Sequence, residues 1–124
     1  MEGVKLKRVL VVDDANFMRF KISNVLTNNG FIVAGEASNG RDAITKYIEI
    51  KPDIVTMDIT MPEMSGIDAL KAIRQFDDKA NVLMISAMGQ ERLVFEAVKN
   101  GAKSFIVKPF KDEQIVDVIN KILG

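Results

Sequence analysis

Arg8-Val9-Leu10-Val11-Val12-Asp13-Asp14 is the stretch on which the fold turns. Its apolar part is a β-branched run too short for a buried helix, so it reads as a buried strand, and two carboxylates end it. Downstream, Met18, Ile22, Val25 and Leu26 recur at helical spacing until Asn28-Asn29-Gly30 stops the helix. The alternation then repeats. Phe31 to Ala37 reads as a strand and Ser38-Asn39-Gly40 as a turn and cap; a stripe through Ala43, Ile44, Tyr47 and Ile48 ends before Pro52. Asp53 to Asp58 is a third strand and Ile59 to Met64 a loop, after which Ser65, with Asp68 three residues on, opens a helix as a variant capping box. Asn81 to Ser86 is the fourth strand, and Leu93, Val94, Ala97 and Val98 share one face of a helix that stops at Asn100-Gly101. Ser104 to Val107 is the fifth strand. Lys108-Pro109 breaks it, Asp112 is placed to cap, and Ile115, Val118, Ile119 and Ile122 form the last stripe.

Short apolar strands alternating with helices imply an α/β fold: a doubly wound, five-stranded parallel sheet with right-handed crossovers, flanked by five helices, as in flavodoxin-like proteins. The 124 residues suit a single domain spanning 1–124, and 48% hydrophobic against 27% charged residues supply a core of ordinary size. Seventeen basic residues balance seventeen acidic ones, which argues against bulk attraction to nucleic acid. The chain has no cysteine and no histidine, so disulfides, thiolate chemistry, a Ser-His-Asp triad and His- or Cys-ligated metals are excluded. Carboxylates, lysines and hydroxyls remain, and these suit hard cations and phosphoryl groups. No apolar run is long enough for a bilayer, and Met1-Glu2-Gly3-Val4-Lys5 lacks a signal peptide's apolar region; the expectation is a cytoplasmic protein with no membrane contact.

In open parallel sheets, ligands bind beyond the carboxyl ends of the strands. Those ends carry Asp13-Asp14, Asp58, Ser86 and Lys108. Three carboxylates brought together repel one another, and a divalent cation relieves the conflict. Oxygen donors favour Mg²⁺, which keeps some of its waters and leaves room for a phosphoryl oxygen. Asp58 is then the candidate nucleophile, forming an acyl phosphate. Asp14 would bind the metal directly, Asp13 directly or through water, and the backbone carbonyl of Thr60 would be a further ligand. Lys108 would meet the phosphoryl charge and Ser86 would donate a hydrogen bond to it. Each residue taken alone has a plainer reading. Asp13 and Asp14 suit the start of a helix, Asp58 and Ser86 suit turns, Lys108 is a surface lysine and Phe105 a core aromatic.

The segments Val11-Val12-Asp13-Asp14, Met57-Asp58, Met61-Pro62-Glu63-Met64-Ser65-Gly66, Ser86-Ala87 and Lys108-Pro109-Phe110 together resemble the receiver domains of two-component response regulators, over essentially the whole chain. Asp14-Ala15-Asn16-Phe17-Met18-Arg19 and Ser86-Ala87-Met88-Gly89-Gln90 are most similar to the chemotaxis subgroup, the CheY type. The resemblance implies a stand-alone regulator that takes phosphate from a histidine kinase onto Asp58. It also implies a cis Lys108-Pro109 bond and an output to a flagellar switch protein or another partner, with a phosphatase as a further partner. Receivers often carry a switching aromatic three residues before the lysine, here Phe105, where many CheY-type proteins have tyrosine. Slow self-dephosphorylation is expected, with Thr60 and Met88 flanking the water's path, but no dedicated enzymatic activity. Lys99, Lys103 and Lys111 would favour an acidic partner. The alternatives are a phosphorelay intermediate or a receiver from a longer regulator. An aspartyl-phosphate phosphatase would want a second Asp where Thr60 stands, and Asp13-Asp14 would repel the phosphate of a flavin mononucleotide.

Overall fold

The computed structural model describes residues 5–124. Residues 1–4, on which most of the signal-peptide reading rests, lie outside them. The elements in chain order are β1 (Arg8–Val12), α1 (Asn16–Asn28), β2 (Ile32–Ala37), α2 (Gly40–Ile50), β3 (Ile54–Asp58), α3 (Gly66–Phe76), β4 (Val82–Ser86), α4 (Glu91–Lys99), β5 (Ser104–Val107) and α5 (Asp112–Leu123). The sheet order is β2-β1-β3-β4-β5 with every pair parallel. This is the expected doubly wound α/β sheet. The chain leaves β1 in one direction to reach β2 and returns on the other side to β3, so the switch point lies between β1 and β3.

Side chains alternate across each strand and divide the core in two. Leu10, Val12, Val55, Met57 and Met84 pack with α2, α3 and α4 on one face. Val9, Val11, Ile54, Leu83 and Ile85 pack with α1 and α5 on the other. Both faces of β1, β3 and β4 are covered, so these strands read as continuous apolar runs. Each fully buried Leu or Ile contributes about 1.5–3 kcal/mol.

Local signals set the helix ends. Asn39 caps α2 by accepting from the Asp42 N–H at 2.8 Å, and Ser65 Oγ caps α3 by accepting from the Asp68 N–H at 3.2 Å. Asp112 is not a cap. It is the first residue of α5, whose cap position is Lys111, and Gln114 Oε1 accepts from the Lys111 N–H at 2.7 Å. Two stripe residues also differ from expectation: Ile48 and Val98 are exposed, because the buried arc of each helix is narrower than its apolar pattern. Tyr47 is buried and donates to Asp77 at 2.7 Å, tying α2 to the end of α3; burial and that bond push the phenol up and hold the Asp77 carboxyl down.

Gly66 matters for the site. A Cβ there would lie 2.0 Å from the Asp58 carbonyl oxygen, while its N–H donates to the Ile59 carbonyl at 2.7 Å. The start of α3 therefore rests on the backbone of Asp58, an approach that only glycine permits.

Candidate metal and phosphoryl site

The register places the predicted residues at one edge of the sheet. Val12 pairs with Met57, Asp58 with Ile85 and Ser86 with Val107, so Asp13, Asp58, Ser86 and Lys108 all emerge at the carboxyl end. One oxygen from each of Asp13, Asp14 and Asp58 lies within 4.8 Å of the others. Asp13 is fully buried and Asp58 only 7% exposed, whereas Asp14 faces solvent.

The buried carboxylates are held by defined partners. Asp13 Oδ1 accepts from the Ala15 N–H at 2.9 Å, and its Oδ2 accepts from Lys108 Nζ at 3.2 Å. The Lys108 ammonium is also 3.6 Å from Asp58 Oδ1, so one cation bridges two acids. The Lys108–Pro109 peptide bond is cis. Burial, followed by the charge of Asp13, pushes the Asp58 carboxyl up from an ordinary 3.8 to about 6; Lys108 pulls in the opposite direction and loses.

These donors fit a magnesium ion. They are all carboxylate oxygens, and an octahedral ion with bonds near ~2.1 Å spans about 4.2 Å between opposite ligands, so small side-chain rotations would close the set. Nearby, Ser86 is 1% exposed and its Oγ has no hydrogen-bond partner among the described residues. A buried hydroxyl without a partner costs about 1–3 kcal/mol, and it leaves the Ser86 donor free.

The family model of the response regulator receiver domain matches residues 9–120. The chain belongs to that family. Among its relatives, the chemotaxis protein CheY of Thermotoga maritima is 59% identical over 116 residues, covering 94% of this chain and 97% of that one. The CheY of Bacillus subtilis is 56% identical over 117 residues, covering 94% and 98%. A crystal structure of the CheX–CheY–BeF₃–Mg²⁺ complex from Borrelia burgdorferi contains a chain 40% identical to this receiver, with a TM-score of 0.92, covering 98% of this chain and 92% of that one. The receiver is therefore closely similar to CheY. Among the described residues, no helix is long and apolar enough to cross a membrane.

Phe105, the groove beside it, Arg19 and Gln90 differ from the sequence reading or escape it. Phe105 is not a core aromatic: it is 44% exposed, because β5 is an edge strand and position 105 faces outward. With Met88, Phe95 and Val98 it lines an apolar groove of about 430 Å³ beside α4. Phe95 and Val98 fall one turn apart on the solvent side of α4, a spacing that could have marked the groove in advance. The sequence alone assigns no role to Arg19 or Gln90. Arg19 Nη1 donates to the Asp13 carbonyl at 2.6 Å and its Nε pairs with Glu36 at 3.3 Å, bracing the turn that carries both acids. Gln90 Nε2 donates to Thr60 Oγ1 at 2.8 Å while its Oε1 accepts from the Ala87 N–H at 2.7 Å. No local pattern announces that bridge, because Thr60 and Gln90 are thirty residues apart.

Proposed function

We propose that this receiver is a single-domain response regulator of chemotaxis, phosphorylated on Asp58 with Mg²⁺ held beside it. The observation that carries the reading is the environment of Asp58: a nearly buried carboxylate facing two further acids, one ammonium and one unpartnered serine hydroxyl.

A carboxylate oxygen of Asp58 attacks phosphorus in line with the leaving imidazole of a kinase phosphohistidine. The new P–O bond forms as the P–N bond breaks, and the bonding pair returns to the donor's ring. Asp13, Asp14, Asp58 and the Thr60 carbonyl would hold the Mg²⁺. When bound, that ion neutralises the carboxylates and the equatorial phosphoryl oxygens. Lys108 exchanges its contact with Asp58 Oδ1 for a phosphoryl oxygen, and Ser86 donates its idle O–H to another.

Nearly two added charges at the strand end pull on β4 and β5 through Ser86 and Lys108. Phe105 then moves from its exposed position toward the space behind Ser86, remodelling the face formed by α4, β5 and α5. The shift is as large as the phosphoryl group's preference for that state and no larger. Exposed Lys99, Lys103 and Lys111 suit that face to an acidic segment of a flagellar switch protein. A CheX-type partner, as found with the Borrelia relative, would act as the phosphatase.

The test uses a chemotaxis histidine kinase labelled on its histidine, with this receiver and Asp58→Asn as acceptors. Transfer of label to the wild type alone, followed by tighter binding of the flagellar switch protein, is the expected result. Transfer without any change in partner affinity would instead favour a relay intermediate.

A further inference from the structure

The Gln90 carboxamide spends both of its ends on two different loops. Its Nε2 donates to Thr60 Oγ1 at 2.8 Å, and Thr60 lies two residues beyond Asp58 on the loop from β3 to α3. Its Oε1 accepts at 2.7 Å from the backbone N–H of Ala87, the residue directly after Ser86 on the loop from β4 to α4. Because β3 and β4 are neighbours, the chain of contacts Thr60–Gln90–Ala87 crosses the sheet edge just past Asp58 and Ser86. Neither end is a helix cap: Gln90 stands at the start of α4 but makes no side-chain capping bond there. Ser86 Oγ, one residue from the bridge, is left buried and unpartnered.

We propose that Gln90 is a positioning residue that latches the two loops together over Asp58 and so sets how long the phosphoryl group survives there. The proposal rests on phosphorylation of Asp58. Hydrolysis forms a P–O bond to water and breaks the bond between phosphorus and the Asp58 oxygen. The carboxylate is regenerated, inorganic phosphate leaves, and a water proton passes to solvent. Water must reach phosphorus on the side opposite the Asp58 oxygen, where the loops converge. With the latch closed, Ala87 and Ser86 stay at the strand end and water's approach is restricted; with it open, the loops part and the phosphoryl group is more exposed. The carboxamide, one hydrogen bond from each loop, thus ties the two segments together beyond the last backbone bond between them, from the Ile59 N–H to the Ile85 carbonyl at 3.0 Å.

The first measurement is made without metal or phosphate, so that it stands apart from the reading of Asp58. Amide hydrogen exchange at Ala87 is compared between wild type and Gln90→Ala. Faster exchange in the variant by about three- to tenfold, the range expected for one lost hydrogen bond of ordinary strength, is the expected result. Unchanged exchange overturns the latch whatever happens at Asp58.

The second measurement follows decay of the acyl phosphate after removal of acetyl phosphate at constant Mg²⁺. Gln90→Ala and Thr60→Val each remove one end of the bridge and are expected to shorten the lifetime by a similar factor, again about three- to tenfold. The double variant should decay no faster than the quicker single one, because both break the same tie. Thr60→Ser restores the hydroxyl and should restore the wild-type lifetime, which a general loosening of the loop would not do. Equal lifetimes in all variants, or effects that multiply in the double variant, overturn the proposal. If wild type takes up no phosphate at all, the reading of Asp58 fails, and the amide exchange alone decides whether the latch exists.

Discussion

Replacing Asp58 with asparagine should stabilise the metal-free protein while abolishing its chemistry. The Asp58 carboxyl titrates near 6 in the fold against an ordinary 3.8. Two pKa units at about 1.36 kcal/mol each give roughly 3 kcal/mol of differential interaction. The direction follows from linkage. The folded state holds the Asp58 proton more tightly than the unfolded chain does, so this contribution is fully present below about pH 3.8 and is lost as pH rises through 6. At pH 8 the ionised carboxylate, crowded by Asp13 and Asp14, therefore costs the fold about 3 kcal/mol relative to a neutral isostere. Urea unfolding of wild type and Asp58→Asn in EDTA measures this, and the difference between them cancels every other titrating group. With a urea slope near ~1.5 kcal/mol per molar, the variant's midpoint should lie about 2 M higher at pH 8. The gap should shrink through pH 6 and close near pH 4. Magnesium at ten times its dissociation constant should recover about 1.4 kcal/mol in the wild type and far less in the variant. An equal gap at pH 4.5 and pH 8, or no gap at pH 8, would refute the claim that burial and the neighbouring acids strain Asp58.

Three further substitutions probe separate parts of the site. Lys108→Ala removes the ammonium that pairs with both the Asp13 and the Asp58 carboxylates, and should lower metal-free stability at pH 8 by about 2 kcal/mol by urea unfolding. That is less than a fully buried pair would lose, because the ammonium keeps some solvent. Gly66→Ala drives a Cβ against the Asp58 carbonyl, so α3 or the Asp58 backbone must shift; a stability loss of more than about 2 kcal/mol with slowed phosphorylation from acetyl phosphate is expected. Phe105→Trp places a reporter in a protein without tryptophan. Its emission should shift to shorter wavelength on adding beryllium fluoride with Mg²⁺, and an unmoved spectrum would remove the aromatic switch from the mechanism.

Most of the fold was legible because strand and helix signals agreed along the whole chain. The β-branched runs at 8–12 and 104–107 lie between turn residues, and both match observed strands to the residue. The four strand-end positions were legible for the same reason: topology alone brings residues 13, 58, 86 and 108 to one edge. What composition could not convey was which apolar residues stay outside. Phe105, Phe95 and Val98 look like core by type, yet they line an open groove because β5 has no neighbour on its far side. Asp112 looks like a cap, but it is the first residue of α5 and Lys111 stands at the cap position, a one-residue offset that spacing does not decide. The Gln90 bridge was invisible because it depends on how far two loops lean toward each other, which no local pattern encodes.

The central claim is tested most directly by the intact mass of the protein after incubation with acetyl phosphate and Mg²⁺, beside Asp58→Asn and a sample in EDTA. One added phosphoryl group in the wild type, absent from both controls, is the predicted result. An unmodified mass under all three conditions, with no beryllium fluoride bound either, would contradict the account and leave a receiver that binds its partners without a phosphoryl switch.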